Sequence, residues 1–106
     1  MSQGFKVAAA LLLAITLAAP VFAQGDAASL YKAKCAMCHG ADGLAATPVG
    51  KTMKVLSFKA PEMVSATDAR FIASTTNGKG KMPAYKDKLT AAQIKDVVAY
   101  IRTLQK

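Results

Sequence analysis

The chain has 106 residues, with 14 basic and six acidic side chains for a formal net charge of +8, and it holds two cysteines, one histidine, five methionines and no tryptophan. That length accommodates one small domain. A single histidine with two cysteines cannot complete a four-ligand zinc site, and the basic excess favours acidic or anionic partners, with no motif that would direct it to nucleic acid.

Lys6 precedes Val7 to Ala19, an apolar run broken only by Thr16, and Pro20 and Val21-Phe22-Ala23 follow. This pattern predicts a secretory signal peptide over residues 1–23, cleaved after Ala23. An uncleaved anchor is the rival reading, but the run falls short of the roughly 20 residues that cross a bilayer. Residues 24–106 then make up the working domain, and they keep every acidic residue and all basic residues except Lys6. So short a domain buries little surface by itself and needs an internal staple.

Asp26 is placed to cap a helix that runs to about Cys38. Ala27, Leu30, Tyr31 and Lys34 recur at helical spacing, which turns Leu30 and Tyr31 inward. Gly40, Gly43, Pro48 and Gly50 predict an irregular loop, and residues 51–60 show no clear period. Pro61 can open a short helical turn. Ser65 with Asp68 resembles a capping box for a helix from about Ala66 to Thr76, which ends at Asn77-Gly78. Gly78-Lys79-Gly80-Lys81-Met82-Pro83 is loop. Thr90 and Gln93 form a second capping box, and Ile94, Val97, Val98, Ile101 and Leu104 share one helix face. No strand pattern occurs, so the expected fold class is all-α, with three to five short helices and long loops. Long loops fit a domain this small when they wrap a buried cofactor.

Cys35-Ala36-Met37-Cys38-His39 names that cofactor. C-x-x-C-H is the attachment pattern of c-type haem. Cysteines three apart lie on one side of a helical turn, where both sulfurs can reach the vinyl groups of one porphyrin and form thioethers. His39 follows directly and can bind the iron. A disulfide between residues so close would constrain little, and a thioredoxin-like dithiol needs a βαβ context that the sequence lacks. The second ring nitrogen of His39 needs an acceptor. The carbonyl of Pro48, nine residues on, is the candidate, with an ordinary turn proline as the alternative.

With no second histidine, the sixth ligand is a methionine, a lysine, water or nothing. Met1 lies in the signal segment and Met37 inside the motif, which leaves Met53, Met63 and Met82. The glycines before Met82 let backbone pass close to a haem, and Pro83 stiffens the loop. Met53 and Met63 read as core fillers. A histidine–methionine pair favours ferrous iron and fills both axial positions, which points to electron transfer and away from catalysis.

Cys35 to Gly40, Asn77 to Tyr85 and Asp96 to Ile101 together resemble the class I (mono-haem) cytochrome c family, in its short soluble bacterial and photosynthetic forms. The resemblance spans Gly25 to Leu104. It implies one covalent haem c on Cys35 and Cys38, axial ligands His39 and Met82, and crossed terminal helices meeting at Ala27, Tyr31 and Tyr100. The family usually has glycine where Ala27 stands. It also implies a single-electron carrier, not an enzyme, that works as a monomer in the periplasm or a lumen-like compartment with redox proteins as partners. An electron-transfer subunit of a larger oxidoreductase complex is the alternative. Membrane contact would come only through partners or an uncleaved N-terminus. Some relatives hold a haem propionate with tryptophan. Here Lys51, Lys54 and Tyr85 are the available donors, and none stands out. Lys34, Lys79, Lys81, Lys86 and Lys88 lie near the two ligands in sequence and suit acidic partners.

Overall fold

The computed structural model describes residues 24–106, so the expected signal segment lies outside the described residues. Six helices occur in chain order: α1 Gln24–Lys34, α2 Ala36–His39, α3 Pro48–Thr52, α4 Pro61–Val64, α5 Asp68–Asn77 and α6 Ala91–Thr103. Three of them (α2, α3 and α4) are only four or five residues long. The expected range of three to five is exceeded because the first expected helix divides into α1 and α2 and the loop through Pro48 contains the helical turn α3. Among the described residues the only bridge pairs Lys79 with Met82, and the fold is all-α as expected.

The helix expected over 26–38 divides at Cys35, which stands between α1 and the separate turn α2 with φ stretched to −118°. Asp26 lies within the first turn of α1 and does not cap it, while Lys32 and Lys34 occupy the last turn. Both placements complement the helix macrodipole. The cap of α5 also differs from the expectation. Thr67, not Ser65, accepts from the Arg70 amide at 3.2 Å, whereas the Ser65 hydroxyl donates to the Glu62 carbonyl. A threonine in extended backbone directly before the helix outcompetes a serine two residues earlier. The Thr90–Gln93 capping box forms in both directions, at 2.8 and 3.1 Å.

α1 packs chiefly on α6, and α5 on α6. Ala27 and Tyr31 of α1 are 1% and 0% exposed, and the Tyr31 and Tyr100 rings lie 5.3 Å apart, so the terminal helices cross where the resemblance implied. Phe58, Phe71, Val97, Val98 and Ile101 complete this core. Edge and tilted contacts of Phe58 with Phe71 and Tyr31, at 6.1 and 6.4 Å, add aromatic packing to simple burial. Among the described residues no helix is long and apolar enough to cross a membrane.

α6 and the residues that follow it also clamp the middle of the chain. Arg102 bonds the Asp68 carboxylate at 2.8 Å and the Ala66 carbonyl, and its guanidinium sits 4.5 Å from the Phe71 ring. Gln105 donates to the Phe58 carbonyl at 3.0 Å. These bonds fix the 58–68 segment against the helical pair and shape one wall of the site.

Candidate functional site

Cys35, Cys38, His39 and Met82 all line one cavity of about 540 Å³. Its walls are mainly apolar: Val55, Leu56, Phe58, Ala66, Phe71, Val97 and Ile101 contribute, and the charged side chains Lys34, Lys54, Glu62, Arg70, Lys79 and Lys81 also border it. A concave apolar space with few polar groups is the usual form of a cofactor site.

The attachment turn is built by backbone bonds. The amides of His39 and Cys38 donate to the Cys35 carbonyl at 2.9 and 3.2 Å, and the Gly40 amide donates to Ala36. The Ala45 amide then bonds the His39 carbonyl at 2.8 Å. Both cysteines are free thiols of intermediate exposure. Burial pushes the Cys35 thiol up to about 11. It also lowers the pKa of His39, which keeps the imidazole neutral, as metal ligation requires. The His39 ring stacks on Phe58 with centroids 4.6 Å apart and planes 16° from parallel. Its Nδ1 is buried with no hydrogen-bond partner.

Two free thiols, a neutral imidazole and thioether sulfurs bordering one apolar cavity are a donor set that fits a covalently attached haem.

Pro48 is the first residue of α3 and makes no hydrogen bond to His39. Thr47, which the sequence reading missed, is the anchor there. Its hydroxyl donates to the Met37 carbonyl at 2.6 Å and accepts from the Gly50 amide at 2.9 Å, so it caps α3 and ties that helix to the attachment turn. Thr-Pro at a helix start is a readable signal, hidden here by the shortness of the helix. Gly50 completes the approach, since a Cβ there would collide with the Cys38 carbonyl and come within 2.7 Å of the Ala45 carbonyl.

All three candidate methionines border the cavity, so lining alone does not separate them. Met53 caps α3 and is 40% exposed, and Met63 packs against the aromatic core. Met82 differs from both because its backbone exchanges two hydrogen bonds with Lys79, at 2.9 and 3.1 Å, across the Gly80-Lys81 turn. Gly80 alone of that central pair has positive φ, +59°, the pattern of a type II′ turn. Among the proposed propionate donors, Tyr85 instead bonds the Lys34 carbonyl, Lys51 does not reach the cavity, and Lys54 borders it. Lys34, Lys79 and Lys81 stand at the cavity, while Lys86 and Lys88 do not.

Comparison with known proteins decides the family. Residues 23–101 match the family described as cytochrome c oxidase, cbb3-type, subunit III. The chain belongs to the class I cytochrome c family. Cytochrome c6 of Aphanizomenon flos-aquae is 42% identical over 74 residues, covering 70% of this chain and 82% of that protein. Cytochrome c6 of Nostoc sp. (strain PCC 7120) is 41% identical, covering 72% of this chain and 66% of that protein. Cytochrome c6 of Rippkaea orientalis is 39% identical over 94 residues, covering 86% and 81%. The solved structure of the KustC0563 c-type cytochrome superposes with a TM-score of 0.70 at 30% identity, covering 76% of this chain and 98% of that one. The cofactor of this cytochrome is one covalently bound haem c.

Proposed function

We propose that this cytochrome is an exported single-electron carrier whose haem is joined to Cys35 and Cys38 and ligated by His39 and Met82. The observation that carries the reading is the convergence on one apolar cavity of Cys35, Cys38, His39 and the tight turn that bears Met82. Bound haem c supplies an iron that gains and loses one electron. The two cysteines would anchor it, and the His39 imidazole and Met82 thioether would hold the iron, so that no coordination position is left open to a substrate. Phe58, Phe71, Val97 and Ile101 exclude water from the cavity wall. The similarity to cytochrome c6 favours a carrier over a subunit of a larger oxidoreductase complex.

Lys34, Lys54, Arg70, Lys79 and Lys81 border the cavity against one acidic group, Glu62. This supports redox partners with acidic surfaces, met by electrostatic steering. Stopped-flow reduction of an acidic redox protein tests it. The rate should fall steeply with salt, and Lys79→Gln with Lys81→Gln should lower it at least several-fold at low salt. An unchanged rate and salt slope would refute the docking surface.

Export rests on the apolar run before Ala23, and the start of the family match at residue 23 supports a boundary there. Mass measurement of the mature protein from the periplasmic fraction tests it: a chain beginning at Gln24 is expected, and retention of residues 1–23 would refute cleavage.

A further inference from the structure

One residue spans the attachment turn from both ends. The Tyr31 carbonyl accepts the Cys35 amide at 2.8 Å, and the Tyr31 hydroxyl donates to the Gly40 carbonyl at 2.6 Å in a fully buried position. Between these two bonds lie only Cys35 to His39. The Tyr31 ring also faces Phe58 at 6.4 Å, and Phe58 in turn stacks on His39 at 4.6 Å. Packing against Tyr100 and Phe58 needs only an aromatic ring, so phenylalanine would satisfy the helix crossing. The hydroxyl adds a bond that packing does not require, since a buried hydroxyl costs free energy unless it is used.

We infer that Tyr31 is a positioning residue for His39: its hydroxyl holds the Gly40 carbonyl and its ring holds Phe58, so the backbone and the ring plane of the histidine are set together. The carbonyl it grips also accepts the Gly43 amide at 3.1 Å, and the next link is the Ala45 amide on the His39 carbonyl at 2.8 Å. Loss of the hydroxyl therefore loosens the loop on the far side of His39 and leaves the helix crossing in place. Burial raises the pKa of Tyr31, so the hydroxyl remains a donor throughout the neutral range. The inference rests on His39 ligation as proposed above.

The test compares wild-type and Tyr31→Phe holoprotein by nuclear magnetic resonance. In the oxidised protein, the hyperfine-shifted signals of the haem methyls and of the His39 ring report the orientation of the imidazole plane. They should move in the variant. In the reduced protein, exchange of the Ala45 amide should accelerate at least tenfold more than that of Val97 or Val98. An unmoved methyl pattern, with all three amides accelerating by the same factor, would show the hydroxyl to be a general stabiliser and overturn the inference. A wild-type spectrum without hyperfine-shifted His39 signals would instead overturn the ligation reading, and this inference with it.

Discussion

The Tyr85 hydroxyl donates to the Lys34 carbonyl at 3.0 Å, across 51 residues of chain. Lys34 immediately precedes Cys35, and Tyr85 lies three residues after Met82, so this bond joins the two sides of the cavity at their roots. Two backbone bonds, Tyr85 to Thr75 at 2.9 Å and Lys86 to Thr76 at 3.2 Å, fix the same loop to α5. They remain when the hydroxyl is removed. Tyr85→Phe should therefore cost only about 1 kcal/mol of stability yet ease displacement of Met82. Imidazole titration of the oxidised protein, followed optically, should show tighter apparent binding in the variant. Equal affinity would mean that the bond does not restrain the loop.

The methionine loop makes unequal demands on its two glycines. Gly78 has φ +80°, and a Cβ there would lie 2.8 Å from the Met82 carbonyl oxygen and 2.9 Å from the Ala84 amide nitrogen. Gly80 has φ +59° with nothing within 4 Å of such a Cβ. Gly80→Ala should cost about 1 kcal/mol, the backbone penalty alone. Gly78→Ala adds a collision with backbone that cannot move without carrying Met82, and should cost roughly 2–3 kcal/mol. Denaturant unfolding of the two holoproteins checks the order. Equal losses would contradict the geometry.

Lys54 occupies a position that glycine usually fills. After α3, the Val55 amide bonds the Gly50 carbonyl at 2.9 Å and the Lys54 amide bonds Lys51 at 3.2 Å, with Lys54 at φ +57°. This is a Schellman ending. Lys54→Gly should relieve up to about 1 kcal/mol of left-handed strain. Thermal unfolding of the holoprotein measures it. A lower melting temperature would show that the lysine side chain at the cavity contributes more than the strain costs.

These cases mark what was legible in the sequence. The C-x-x-C-H run, the Thr90–Gln93 box and the apolar face of α6 carry local signals, and each lies where those signals put it. The glycine-rich approach to Met82 was legible as a loop, but its two-residue turn was not. The turn α3 is too short to show a helical period, so Thr47 passed as loop, whereas Pro61 marked the start of α4. The cap of α5 went to Thr67 because two acceptable capping residues stand close together and only the folded backbone chooses between them. The bonds from Tyr31 to Gly40, from Tyr85 to Lys34 and from Arg102 to Ala66 join distant segments and have no local pattern at all.

Alkaline pH separates Tyr31 from the rest of the molecule. Burial raises its pKa in the folded chain above the ordinary value near 10. The folded state thus holds the proton more tightly than the unfolded state. Its contribution is complete below about pH 10 and is lost as pH rises above that, by up to about 1.4 kcal/mol per pH unit for one proton. Tyr31→Phe lacks this loss. The stability gap between wild type and variant should narrow between about pH 10 and pH 11.5 in denaturant titrations. Parallel curves would contradict the buried, protonated hydroxyl.

The central claim is His39–Met82 ligation of a haem carried by Cys35 and Cys38. Optical spectra of the matured holoprotein test it most directly, for the wild type and for Met82→Ala, Met53→Ala and Met63→Ala. The account predicts a low-spin spectrum with a sharp reduced α-band and a weak near-infrared sulfur-to-iron band in the oxidised form, lost only in Met82→Ala. Persistence of that band in Met82→Ala, its loss in Met53→Ala or Met63→Ala, or a high-spin wild type would contradict the assignment.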